Sequence, residues 1–215
     1  FYTIGGGYGD QKGLGIGRIE QYTKMFGLDE PTGINMQGEA KGNIPSPEWK
    51  ERVFNGDDWR IGDTYNTSIG QYGFQVTPIE MVRAVAALAN GGTLVTPSIT
   101  EPLDSETFAK LSFEEEDLQV VREGMRMVVT EGGGQLLNSL PFSVAAKTGT
   151  AQVGVQKRFV NAWMVGFFPY EQPRYSFVFL MEHGPGGEAV VGASRAASPF
   201  FTWLAENAPE YTTAE

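Results

Sequence analysis

Three β-rich runs stand close together near the end of the chain, and their spacing limits the folds open to it. Residues 143–153, 159–168 and 174–182 are rich in small, β-branched and aromatic side chains. Only short connections separate them, the second being a Pro169–Pro173 turn. A parallel pair needs a crossover of about a dozen residues or more, so these connections imply an antiparallel meander.

Helical signals surround these runs. Thr77-Pro78-Ile79-Glu80 combines an N-cap threonine, proline at the first helical position and glutamate three residues after the cap. It predicts a helix to about Asn90, stopped by Gly91-Gly92, with Met81, Val82, Val85, Leu88 and Ala89 inward. Ser112 and Glu115 repeat the capping spacing before a helix to about Thr130, with Leu118, Val121, Met125, Val128 and Val129 inward. The acidic run Glu114–Asp117 suits the positive end of that helix and reads as a solvated helix start, not a metal site. A last helix is expected over Ser194–Asn207, with Phe200, Phe201, Trp203 and Leu204 available to pack on the sheet and Pro199 either in its first turn or disturbing its start. Residues 1–76 are rich in turn formers and predict one helix, Ile16 to Phe26, with Ile16, Ile19, Tyr22 or Thr23, and Phe26 on one face and Gly27 as its stop. The expected class is mixed α/β (α+β), an antiparallel sheet covered by helices. Residues 1–142 form its helical and loop-rich part, and residues 143–215 its strands and closing helix.

Composition removes several functions. The net charge of −10, with no basic cluster, argues against a nucleic-acid or anionic-membrane footprint. There is no cysteine and one histidine, His183, so neither a Cys-ligated nor a multi-histidine metal site can form. No apolar run approaches the roughly 20 residues that cross a bilayer. The glycines at 5–17 contain neither a dinucleotide nor a P-loop pattern, and no cofactor is implied.

The chemistry sits in Lys147-Thr148-Gly149-Thr150, within the first β-rich run. A cation and two hydroxyls can receive a carboxylate, Thr148 and Thr150 share one face, and Gly149 has no Cβ to hold off a second backbone. The bare tetrapeptide also fits an ordinary polar edge strand. It is shared with serine enzymes that act on D-alanyl peptides and β-lactams.

Five further segments accompany it: Gly42–Lys50, Gly62–Gln71, Gln75–Pro78, Ala89–Gly92 and Ala162–Phe167. Together with Ala145–Val153 they resemble, in order, the C-terminal half of the transpeptidase domain of class B penicillin-binding proteins of the elongation type. That resemblance implies a peptidoglycan D,D-transpeptidase working by serine acyl transfer on D-Ala-D-Ala stem peptides and binding β-lactams. It casts Lys147 and Thr150 as catalytic, the Thr150 N–H as an oxyanion donor, and Lys147, Thr148, Gly149, Thr150 and Asn161 as substrate-binding. It further implies the outer face of the bacterial inner membrane, an anchor upstream, and a SEDS-family glycan polymerase as partner. Neither of the family's other motifs, S-x-x-K and S-x-N or S-x-D, occurs in the sequence. The chain is therefore expected to be completed by the N-terminal half of the same domain, to expose an unpaired strand edge, and to be inactive alone.

Other residues invite plainer readings. Asp63 and Thr64 are expected to organise a loop by hydrogen bonds, His183 to lie at the surface, and Trp163 to form core or cleft wall. Tyr72 stands where the family commonly has glycine, which questions the local turn. A serine β-lactamase or penicillin sensor would share the tetrapeptide, though Gly42–Lys50 and Gly62–Gln71 argue against it, and a non-catalytic binding or scaffold chain remains open.

Overall fold

The computed structural model describes residues 1–100, 107–187 and 191–212. Its helices are α1 (Tyr2–Gly6), α2 (Gly15–Met25), α3 (Pro47–Val53), α4 (Ile61–Thr67), α5 (Pro78–Ala89), α6 (Glu115–Thr130) and α7 (Ala193–Asn207). Its strands are β1 (Thr93–Val95), β2 (Thr107–Lys110), β3 (Ala145–Val153), β4 (Phe159–Phe168) and β5 (Tyr175–Pro185). The chain forms two compact units, residues 1–80 with 97–103, and residues 81–96 with 104–215.

The first unit holds α1 to α4, where the sequence predicts only α2. The α3 start carries signals that the glycine-rich surroundings obscure: Ser46 Oγ accepts the Trp49 N–H at 3.2 Å and Pro47 occupies the first turn. At α4 the Asp63 carboxylate accepts the Arg60 N–H at 2.7 Å, the backward half of a capping box. The two helices are tied by Lys50, which is only 1% exposed. Its ammonium donates to Asp63 Oδ2 at 2.7 Å and to Asp58 O at 2.6 Å, and pairs with Asp57 at 2.9 Å. Asp63 and Thr64 do bind by hydrogen bonds, but from a helix instead of a loop; Thr64 Oγ1 accepts Trp59 Nε1–H at 2.8 Å. Tyr72 takes φ +63°, a left-handed conformation that glycine adopts without cost. Its ring packs between Trp49, Phe54 and Trp59. On α2 the alternative at 22 or 23 resolves to Thr23, whose hydroxyl donates to Ile19 O, while Tyr22 is exposed.

The second unit carries the predicted meander, a sheet ordered β3–β4–β5 with both pairs antiparallel. Ala146, Met164 and Phe177 face α7, packing with Ala197, Phe201 and Leu204. Ala145, Val165 and Phe167 face the other way, onto Val85 of α5 and Met125 of α6. On the α7 face, opposite Ala146 and Phe177, only glycine fits at 166, since a Cβ there would lie 2.2 Å from Ala145 O.

Several expectations need correction here. The N-cap of α6 is Glu114, not Ser112, and no side chain caps it. Val121 is exposed because Arg122 takes the contact, donating Nε–H to Leu88 O at 2.7 Å while its Nη1 meets Glu115 at 2.6 Å. Pro199 lies inside α7 instead of in its first turn. Of the four large α7 side chains, Phe201 and Leu204 are buried, whereas Phe200 and Trp203 are exposed, because 3.6 residues per turn cannot bring neighbours 200 and 201 onto one face.

Candidate active site

Strand β3 is the outer strand of its sheet among the described residues, with β4 on one side. Which of its backbone groups face the free side follows from Ala145. Its carbonyl lies against Gly166 of β4 and is therefore directed into the sheet. Alternation directs the groups of Lys147 and Gly149 inward as well, and those of Ala146, Thr148 and Thr150 outward. The Lys147 ammonium accordingly reaches the Thr148 carbonyl, to which it donates a short hydrogen bond. The same parity puts the Thr150 N–H on the open edge.

The side chains fit a receiving ribbon. Lys147, Gly149 and Thr150 are exposed and Thr148 is half-buried. A Cβ on Gly149 would touch only Trp163 Cβ, at 3.7 Å, so the space in front of that glycine is otherwise open. Trp163 is half-buried on the layer that faces α5 and α6, as a core or wall residue. Thr148 is bordered by the glycine turn after α6: a Cβ on Gly133 would stand 3.3 Å from Thr148 Oγ1. No sequence signal marks that neighbour, which comes from another element.

Asn161 lies opposite Ala151, one position beyond Thr150's partner Ala162. Its Oδ1 accepts the His183 N–H at 3.0 Å, at an irregularity in the β4–β5 ladder where His183 adopts φ +53°. The exposed His183 thus contributes backbone geometry, and the Asn161 carboxamide N–H groups have no partner among the described residues. The structure brings Lys147, Thr148, Gly149 and Thr150 together along one edge, with Asn161 near its far end. Among the described residues no cluster of acidic or histidine side chains could hold a metal ion. No described helix is long and apolar enough to cross a membrane.

A helix-faced antiparallel sheet thus carries a cation, two hydroxyls and an outward N–H along an edge that is unpaired among the described residues. The chain matches the penicillin binding protein transpeptidase domain over residues 10–201, and it belongs to that family. It is 31% identical over 215 aligned positions to the peptidoglycan D,D-transpeptidase MrdA of Acinetobacter baumannii, covering 89% of this chain and 31% of that protein. Among solved structures it resembles the penicillin-binding protein PBP2 of Helicobacter pylori in its complex with MreC, with TM-score 0.80 and 31% identity, covering 97% of this chain and 38% of that one. Pseudomonas aeruginosa PBP2 gives TM-score 0.75 and 28% identity, over 94% of this chain and 46% of that one. The chain spans about a third of the length of the curated relative it matches.

Proposed function

We propose that this chain supplies the substrate-gripping portion of a peptidoglycan D,D-transpeptidase whose nucleophilic serine lies outside these 215 residues. In that reaction the serine oxygen attacks the carbonyl between two D-alanines, the terminal D-alanine leaves, and the acyl group passes to an amine of a second peptide. Lys147 makes the cleft electropositive, and the Thr148 and Thr150 hydroxyls hold the terminal carboxylate of the peptide or of a β-lactam. The outward N–H of Thr150 steadies the negative oxygen that develops at the attacked carbonyl. Gly149 admits the substrate backbone, and Asn161 offers its free N–H to the acyl portion.

The observation that carries this reading is the open β3 edge, where the hydroxyls and the Thr150 N–H stand together. The reaction belongs to the outer face of the bacterial inner membrane, where a SEDS-family polymerase would supply glycan strands. An MreC-like scaffold is a further partner, by analogy with the Helicobacter pylori complex.

The test is labelling by a fluorescent penicillin. The full-length protein should form a stable acyl-enzyme on a serine outside this chain, and the 215-residue chain alone should form none. An acyl group mapped to any serine of this chain would overturn the assignment.

A further inference from the structure

A cavity of about 600 Å³ opens at the foot of the sheet, between the chain that leads into β3 and the turn that joins β4 to β5. Small-molecule sites occupy roughly 300–1,000 Å³ and combine apolar walls with a few polar groups, and this cavity has that makeup. Leu140, Pro141 and Pro169 supply apolar surface, and Phe142 beneath them belongs to the sheet core, which fixes the floor. Arg126 of α6 and Glu171 of the turn bring opposite charges to the same space.

Each charge is held by the backbone or a hydroxyl, and not by the other. Arg126 Nη1 donates to Val144 O at 2.9 Å. The Ser143 hydroxyl donates to Glu171 Oε2 and accepts the Tyr170 N–H at 3.1 Å, and that N–H also reaches Ser143 O at 3.0 Å, so the turn is pinned to the strand entry. Ser143 and Val144 are consecutive, with Cα atoms about 3.8 Å apart, which sets the anchors of the two charges side by side. Yet Arg126 and Glu171 form no ion pair with each other or with any other described residue. A guanidinium carries five N–H donors, of which Val144 O takes one, and Glu171 Oε1 has no donor among the described residues.

We propose that this cavity binds a free α-amino acid with an apolar side chain, its carboxylate on Arg126 and its ammonium on Glu171. A plain anion would gain Arg126 but meet Glu171 and the chain's net charge of −10. A plain cation would gain Glu171 but meet Arg126. A zwitterion satisfies both at once, and its side chain covers the leucine and proline surface. Because both protein groups are already held by hydrogen bonds, binding has little further ordering to impose on them. The cavity lies before Ala145, where β3 begins, whereas the ribbon from Lys147 to Thr150 runs away from it along the strand. The two sites are therefore separate, and this assignment stands independently of the transpeptidase reading.

The experiment is equilibrium dialysis of the full-length protein with radiolabelled leucine. The competitors are N-acetyl-leucine, which lacks the ammonium, and leucinamide, which lacks the carboxylate. Leucine should bind saturably, and neither analogue should compete at concentrations where unlabelled leucine does. Arg126→Met and Glu171→Gln should each weaken binding by about tenfold or more, the range for hydrogen bonds between charged groups. Glu171→Gln keeps an acceptor for Ser143 and sits at the surface, so it tests the site even if Arg126→Met fails to fold. In Glu171→Gln, N-acetyl-leucine should compete as well as leucine does, because the ammonium has lost its partner. Binding should persist in Lys147→Met, which removes the cation of the β3 ribbon. No saturable binding at millimolar leucine, equal competition by either analogue in the parent protein, full binding in Glu171→Gln, or loss of binding in Lys147→Met would each overturn the proposal.

Discussion

Single side chains in this protein do work that reaches well beyond their own element, and Glu80 is the clearest case. It has no solvent exposure, and its carboxylate accepts N–H groups from Thr77 at 2.6 Å, Gly42 at 2.8 Å and Asp29 at 3.2 Å. It therefore caps α5 and clasps two loops distant in sequence. Glu80→Ala leaves three donors without their acceptor, and at about 1–3 kcal/mol for each buried group the expected loss is about 3 kcal/mol or more in urea unfolding. Glu80→Gln keeps one acceptor oxygen and should lose less; equal losses would show that shape, not hydrogen bonding, is what matters there. The β3 hydroxyls are tested differently. A hydrogen bond to a charged group contributes about 1.5–3 kcal/mol, so Thr148→Ala or Thr150→Ala should slow penicillin acylation of the full-length protein by about 10- to 100-fold. Thr148→Ser, which keeps the oxygen, should stay near the parent rate. An unchanged rate in both alanine variants would remove these hydroxyls from the proposed grip.

At the scale of elements, the joint between α3 and α4 is electrostatic, and its pH dependence has a definite sign. Hydrogen bonds from Arg60 and Lys50 hold Asp57 well below the usual carboxylate range. Burial pushes Asp63 up, but hydrogen bonds from Lys50 and from the Arg60 amide outweigh it and lower its pKa. Burial likewise opposes the Lys50 charge, while Asp63 and Asp57 more than compensate and raise it above the ordinary lysine value. Lowered carboxylates contribute stability above about pH 4 that is lost as pH falls through their folded values. A raised lysine contributes below about pH 10.4 and loses it as pH rises further. Thermal melts across that range should show a plateau between these limits. In Lys50→Met the plateau should drop, its acid limb should become shallower because Asp57 and Asp63 lose a partner that lowers them, and the lysine share of the alkaline limb should vanish; an acid limb identical to the parent would refute the coupling. These two helices were also the least legible part of the fold. The strands follow from alternation, and β4 matches its sequence span at both ends. By contrast α3 and α4 are seven residues each, too short for a periodic apolar stripe, and are fixed by a lysine buried against two aspartates. The site divides in the same way. Lys147 to Thr150 were readable because they are contiguous on one strand, whereas Gly133 beside Thr148 and His183 bonded to Asn161 depend on contacts between elements.

For the molecule as a whole, two opposing forces decide how the isolated chain behaves. Both β3 and β5 present unpaired edges among the described residues, and a free edge is a template for pairing with another chain. Exposed apolar side chains add to this tendency, among them Phe1, Tyr2, Ile4 and Tyr8 in the first unit and Phe200 and Trp203 on α7. Against it stands the net charge of −10, which makes every encounter between copies repulsive. Backbone pairing and apolar contact act at short range and hardly respond to salt, while the repulsion reaches about 30 Å at 0.01 M ionic strength and only about 3 Å at 1 M. Association of the 215-residue chain should therefore strengthen as sodium chloride is raised, with larger species growing in sedimentation velocity at constant protein concentration. Capping the β5 edge should act in the same experiment, so a synthetic strand peptide that pairs there should suppress the salt-driven species. A chain that stays monomeric across that range, or that dissociates as salt rises, would mean that its edges are already protected and that charge, not strand pairing, governs its contacts.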